Sequence, residues 1–568
     1  MELIIKNGIV YDPLNGVKGE AMDIYVKDGK IVEKADGSKA QVIDATNMLV
    51  LPGGVDMHTH FAGPKVNLAR MLRPEDHYKD PQRKRGVRRC GTGYSIPSVF
   101  TTGYWYAEMG FTLAFEAANP PLKMMHVQDE LNDTPLIDKG AYPVFGNNWY
   151  VMESLSKGKI EECAAYIAWV LSAIKGYAIK VVDPGSVEEW KWGKGQIGDM
   201  DKQVENFGIT PKEIVRGLAK VAKLLNLPHH LHIHTNMLGN PGNSEVTLET
   251  MKAVKDLVTN GELLIHMAHL QFHSYGGKEK DWNSFRSGSE EIMKYINKNP
   301  YVSFDMGQIA FTDTTTMTAD GPFEYNLYEI TKNKWMNADI EFETGSGIVP
   351  IEYKRDNFVH SIMWAVGLEL ALLSKDLWRV ALSTDHPNGA PLTFYPRVIS
   401  WLMSKKARER VLKLIPSSAR SKTLLGSIDR EFNFEEIAII TRASPAKLLG
   451  LKEKGHLGIG ADADIAIYDI NPKALDPERD YRKIRKAFRF AKYTIKDGKI
   501  VYKDNEIIEH FIAKTYWVNP HIREDLYNYI NSELERNFDK YYTVKISNYK
   551  IPEGYLVKSK RIDIITKL

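Results

Sequence analysis

Cysteine is nearly missing from this chain: Cys90 and Cys163 are the only two in 568 residues. An iron–sulfur cluster takes about four thiolates and a disulfide framework takes several paired cysteines, so neither is built here, and a reducing compartment, the cytoplasm, is the expected setting. Long apolar runs are lacking too. None approaches the roughly 20 residues of a membrane-spanning helix. The opening residues, Met1-Glu2-Leu3-Ile4-Ile5-Lys6, read as a charged strand and not as a secretory leader. Charge of one sign is likewise absent: 75 basic and 72 acidic residues leave a net +3, too weak a field to call for nucleic acid. A hydrophobic content of 43% is ample for a large folded core.

What the chain does have is a series of apolar segments that each end in a ligand-type residue. The first, Met48 to Met57, is interrupted by Pro52-Gly53-Gly54 and delivers His58-Thr59-His60. Successive side chains of a β-strand alternate faces, so His58 and His60 project the same way and suit one metal ion. Alone, two such histidines are as readily surface or core imidazoles. Repetition of the design gives them weight. Lys180 lies in a β-branched strand, Tyr177 to Val182, closed by Asp183-Pro184-Gly185. A desolvated lysine loses its proton readily, and the neutral amine can add carbon dioxide to give a carbamate, a two-oxygen anion able to bridge two cations. A lysine snorkelling at a strand rim is the plain alternative; the histidines favour the carbamate. Pro228 to Asn236 and Leu263 to Leu270 bring further histidines. His234 and His269, last on their strands, are the expected ligands. His232, one layer deeper, is the expected supporting partner or the alternative ligand, while His229 and His266 read as core or surface residues. Asp385 closes Val380 to Thr384 and opens onto Pro387-Asn388-Gly389, a loop-forming run.

A His-x-His, a lysine, two single histidines and an aspartate in this order resemble the amidohydrolase superfamily, over nearly the whole chain. The resemblance implies two divalent ions, zinc by the preponderance of nitrogen donors, held by His58, His60, N6-carboxylated Lys180, His234, His269 and Asp385. It also makes Asp385 and Lys180 catalytic, with Asp385 as general base and acid. Four longer strings, Gly91 to Tyr106, Glu116 to Pro121, Leu270 to Gly277 and Asp385 to Pro391, look like those of the A-subunit family of formylmethanofuran dehydrogenase. That likeness implies interconversion of N-formylmethanofuran with formate and methanofuran, with formate condensing onto the amine in the CO2-fixing direction. It also implies partner subunits that carry a tungsten or molybdenum pterin and iron–sulfur centres, and no flavin, haem, iron–sulfur cluster or pterin on this chain. Asn236, Gln271, His273 and Asn388 are the expected substrate contacts. A stand-alone cyclic amidase of the dihydropyrimidinase or hydantoinase type fits the ligands equally, and a non-catalytic barrel scaffold is the reading from another class.

The expected architecture is α/β: a (β/α)8 TIM-like barrel over 52–451 with loop insertions, and a small β-sandwich built from both chain ends, 1–51 and 452–510. Residues 511–568 read as an appended segment able to contact a partner protein. Turns are expected at Asp12-Pro13, Asp28-Gly29 and Asp36-Gly37, and helices over Pro211 to Leu225, Leu248 to Val258 and Glu290 to Lys298. The one strong charge cluster, Arg83 to Arg89, reads as a solvated loop; the resemblance implies a long anionic substrate tail that arginines would suit.

Overall fold

The computed structural model describes residues 2–36, 38, 40–339, 346–538 and 545–568. From Gly54 onward, short apolar strands alternate with helices. Eight of these strands follow in chain order: Gly54–Thr59, Phe111–Asn119, Asp138–Pro143, Lys180–Val182, Leu231–His234, Ile265–Met267, Val302–Asp305 and Val380–Ala381. The first three pair in one parallel sheet and the last five in another. Isolated parallel bridges, Val144 with Lys180 and Thr59 with His386, run between the two. This is a TIM-type barrel. Its strands are buried on both faces, which is why they read as nearly continuous apolar runs and not as alternating ones; every residue of Phe111–Asn119 is buried. The helix Pro211–Leu224 starts where a capping box fixes it, with the Glu213 amide donating to Thr210 Oγ1 at 3.2 Å and the Thr210 amide to Glu213 Oε2 at 2.9 Å. The helix expected from Leu248 begins earlier, at Asn243, and ends at Lys252 before a separate turn, Lys255–Leu257.

The first 52 residues and residues 465–507 meet in a β-rich domain. A nine-stranded sheet combines strands from the first fifty residues with Ile465–Tyr468, Tyr493–Lys496 and Lys499–Lys503. Its seam is the antiparallel pairing of Leu49–Pro52 with Ile465–Tyr468. Ile5, Val26, Val50, Ile465 and Ile495 share one core there. Asp28 and Gly29 take positive φ, 49° and 80°, as a tight hairpin turn requires. The turn expected at Asp36-Gly37 runs outside the described residues.

A knot of buried charge ties barrel to β-domain. Lys454 Nζ lies 2.6 Å from Asp138 on the third barrel strand, 2.8 Å from Asp462 and 2.6 Å from Asp464. Lys496 Nζ adds contacts of 3.0 Å to both Asp138 and Asp464. Four aspartates, Asp138, Asp462, Asp464 and Asp497, come close enough to hold a metal ion, but lysine ammonium groups already stand among them. Lys514, from the last segment, reaches Asp462 at 3.0 Å. That segment is bound to the rest of the chain: Thr515–His521 and Ser559–Ile565 pair in parallel, and Thr515 pairs with Lys139 at the barrel edge.

Between the seventh and eighth barrel strands, the strands Asp313–Thr318 and Ser346–Glu352 and the helix Gly321–Thr331 form an excursion over the catalytic face. It touches down through the Met317 amide, which donates to Asn388 Oδ1 at 2.7 Å. The arginine cluster stays on this chain: Arg85 pairs with Glu506 at 2.6 Å, Arg88 with Glu108 at 2.9 Å, and Arg89 lies 4.0 Å from the Phe100 ring. Among the described residues, no helix is long and apolar enough to cross a membrane.

Candidate active site

The expected ligands lie at or just beyond the C-terminal ends of barrel strands, apart from Lys180, which opens its strand. All are at most 3% exposed. Asp385 Oδ1 stands 3.2 Å from His58 Nε2 and 3.1 Å from His60 Nε2. His234, His269 and His273 form a second group whose donor atoms lie within 4.8 Å of one another. The ring of His269 is 5.1 Å from that of His58, so the two groups adjoin. Lys180 pairs in register with His232, which pairs with His266. The lysine is therefore rooted one layer below His234, and its four-carbon arm spans a depth that an imidazole could not.

Buried polar atoms are rarely without a partner. Here Lys180 Nζ, His58 Nε2, His269 Nδ1, His273 Nε2 and Asp385 Oδ1 are all buried and make no hydrogen bond. Buried nitrogen and carboxylate donors gathered together in this way fit a pair of cations. The backbone is strained to place them: His269 has φ of 31° and Asp385 of 48°, a region that costs a non-glycine residue roughly 1–3 kcal/mol. Gly307 makes the first possible, because a Cβ there would sit 2.4 Å from His269 Cβ.

Charge follows burial. Burial lowers the pKa of Lys180 to about 7, against the pull of Asp305 and Asp385. Burial would raise Asp385, but His58 and His60 outweigh it and hold the carboxyl well below its usual range. Burial and Lys180 push His58 down, and Asp305 and Asp385 more than restore it, so its pKa is raised.

The profile of the Amidohydrolase family matches residues 41–502. The chain belongs to the amidohydrolase family. Protein FwdA of Methanocaldococcus jannaschii is 51% identical over 562 residues, 98% of this chain and 97% of that protein. The A component of the formyltransferase/hydrolase complex Fhc of Methylorubrum extorquens is 33% identical over 520 residues, 90% of each chain. A chain in the crystal structure of the complex FhcABCD from that organism, solved with methylofuran, superposes with a TM-score of 0.89 at 31% identity, covering 99% of both chains. The kinship with the A-type component of formylmethanofuran dehydrogenase is borne out, and with it an amidohydrolase-type catalytic role.

The remaining expected residues of this amidohydrolase divide by what they touch. His232 stands behind His58, with its Nε2 3.0 Å from His58 Nδ1; His234 Nε2 lies 3.1 Å from Asp320 Oδ2. His273 Nδ1 contacts Thr235 Oγ1 at 2.9 Å, leaving its Nε2 with the donor group. Asn236 donates to Pro184 O at 3.2 Å, and Gln271 to the Tyr275 hydroxyl; the amide oxygen of each is buried and unpartnered. Asn388 uses both ends inside the protein, donating to Asp385 Oδ2 at 2.9 Å and accepting from Met317, so it orients Asp385. His229 and His266 are neither plain core nor surface residues: His229 Nδ1 lies 2.7 Å from Leu448 O, and His266 Nε2 lies 3.2 Å from Asp305.

Sequence reasoning missed the carboxylates around the donors. Asp305 Oδ2 lies 3.1 Å from His58 Nδ1, and Glu116 Oε1 lies 3.3 Å from His60 Nδ1. Both are polar residues at or near the end of an apolar strand, the rule that picked out the expected ligands, and it could have found them. Asp183, directly after its strand, fits the same rule, whereas Asp320 carried no such signal. Burial raises Asp320 to about 7, and burial together with Asp320 pushes Asp183 far up.

Proposed function

We propose that this amidohydrolase interconverts N-formylmethanofuran with formate and methanofuran, condensing formate with the amine in the CO2-fixing direction. The redox step then belongs to partner chains that carry a tungsten or molybdenum pterin and iron–sulfur centres. The reading is carried by the buried donor atoms without hydrogen-bond partners, Lys180 Nζ among them, together with the two adjoining donor groups. Supporting it is likeness over 99% of the chain to a complex solved with methylofuran.

His58, His60, His234, His269, Asp385 and carboxylated Lys180 are the residues that would hold two divalent ions, zinc by their nitrogen-rich donor set. Bound there, such ions supply Lewis acidity toward the formyl oxygen and bring the pKa of water to ~7. Asp385 does the proton work. Its low pKa keeps it ionised, and Asn388 fixes Oδ2, so Oδ1 takes the proton of the attacking water and passes it to the departing amine. A C–O bond forms, the formyl C–N bond breaks, and formate and a free amine result. In reverse the amine attacks formate and one water leaves. Bulk water favours hydrolysis, so synthesis needs formate at high local concentration. A site at most 3% exposed answers that need, since it keeps bulk water out while a partner chain delivers formate.

The test is formate release by the purified chain, alone and with its partner subunits, with zinc and bicarbonate present. N-formylfurfurylamine should be turned over and dihydrouracil should not. Turnover of dihydrouracil alone would replace this reading with the cyclic-amidase one.

A further inference from the structure

Below the donor group runs a line of buried histidines that the chemistry above leaves unused. We infer that His229 and His232 are a tautomer relay that fixes which nitrogen of His58 carries hydrogen, making them positioning residues for cation binding. The inference rests on the reading of His58 as a ligand.

The argument starts at a backbone carbonyl, which has no hydrogen to give. Leu448 O, among the last carbonyls of the helix Ser444–Leu448, lies 2.7 Å from His229 Nδ1, so that nitrogen carries the hydrogen. In a neutral ring His229 Nε2 is then a lone pair. It faces His232 Nδ1 at 2.9 Å, which must donate. His232 Nε2 is in turn a lone pair and faces His58 Nδ1 at 3.0 Å, which must donate as well. Asp305 Oδ2, 3.1 Å from the same nitrogen, asks for the same hydrogen. His58 Nε2, 3.2 Å from Asp385 Oδ1, is thereby the nitrogen turned to the donor group, where a bound cation would replace any hydrogen it gives that carboxylate. Both rings are fully buried, and the Asp305 carboxylate stays 3.8 Å from His232 Nε2, so neither ring has the close carboxylate that would hold a charge there.

The carboxylate alone would not secure this arrangement. His232 Nε2 is 3.8 Å from Asp305 Oδ2, so a His232 free to choose could point a hydrogen at that oxygen and at His58 Nδ1, driving the His58 hydrogen onto Nε2, where it blocks a cation. The relay forbids that choice. Reversing His232 would set its Nδ1 lone pair against that of His229 Nε2 at 2.9 Å. The polarity of the ligand is therefore set at the far end of the line, by one peptide carbonyl.

The experiment uses the full chain, labelled with 15N-histidine and freed of metal, to read tautomers by NMR, followed by zinc affinity from competition with a chelator. In the unaltered protein His229, His232 and His58 should all carry hydrogen on Nδ1. His229→Leu should move the His232 hydrogen to Nε2 and weaken zinc roughly ten- to hundredfold, whereas His229→Gln, whose amide oxygen can still accept from His232, should stay within roughly threefold. Hydrogen on His232 Nε2 in the unaltered protein overturns the relay, and so do equal losses in both variants with tautomers unchanged. If His229→Leu does not fold, the unaltered protein's tautomers decide alone. Absence of zinc binding by the unaltered protein would sink the functional reading and leave the tautomer test standing.

Discussion

Withdrawing carbon dioxide gives the most quantitative test of Lys180. Only a neutral amine adds carbon dioxide. With a pKa brought from 10.5 to about 7 by burial, about half of Lys180 is neutral at pH 7, against roughly one in three thousand for an ordinary lysine. Protein stripped of metal and bicarbonate should therefore be inactive, and should recover formate release when zinc and bicarbonate are returned together. At a fixed concentration of dissolved carbon dioxide, the rate of recovery should rise about tenfold between pH 6 and 8 and then level off, following the neutral fraction. A lysine of ordinary pKa would instead give about a hundredfold rise with no levelling. The recovered protein should gain the mass of one carbon dioxide at Lys180, and Lys180→Arg, which stays charged, should recover nothing. Full recovery with zinc alone in carbon dioxide-free buffer would refute the reasoning, as would a rate still climbing beyond pH 9.

Asp385→Asn should lower formate release by ~10²–10⁴-fold, the usual worth of a positioned proton carrier, and an unchanged rate would remove Asp385 from the mechanism. Lys454→Met should cost ~3–5 kcal/mol in urea unfolding near pH 7, because it leaves buried carboxylates unpaired. The sign with pH is fixed by the knot. Burial opposes both kinds of charge, yet Lys454 and Lys496 hold Asp138 below its usual range, and Asp138 and Asp464 hold Lys454 well above its own. The knot's contribution is complete above the unfolded carboxyl pKa of ~4 and below the unfolded lysine pKa of ~10.4. It fades as pH falls through the depressed carboxyl values or rises through the elevated ammonium values. The deficit of Lys454→Met should accordingly shrink in acid, and a deficit that grows there would contradict the assignment. Saturating zinc, at about a thousand times its Kd, should stabilise the folded chain by ~4 kcal/mol in thermal melts, and no shift would count against the donor group.

Most of the candidate site was legible because its members end apolar strands and the barrel gathers strand ends at one face: that rule brings out His58, His60, His269 and Asp385, and leaves His232 and His234 as alternatives on one strand. Lys180 was legible by being out of place, a charge inside a β-branched run. The partners that set their protonation were not. His229 lies before its strand begins, and nothing in Pro228-His229-His230 says that Leu448 O, more than two hundred residues on, waits opposite. Asp320 and Asp183 meet only because the excursion over the catalytic face returns to the strand ends, a long-range closure that local pattern does not encode. The knot around Lys454 was hidden for the same reason, since its members come from the barrel, the β-domain and the last segment.

The seam between Leu49–Pro52 and Ile465–Tyr468 has a consequence for biosynthesis. A ribosome adding ~5–20 residues per second needs roughly 20–80 s to produce the second strand after the first has emerged. Throughout that interval the early half of the sheet presents an open, aggregation-prone edge. The nascent polypeptide must be shielded until it is nearly finished, and fragments cut anywhere inside the barrel should precipitate instead of accumulating as folded pieces.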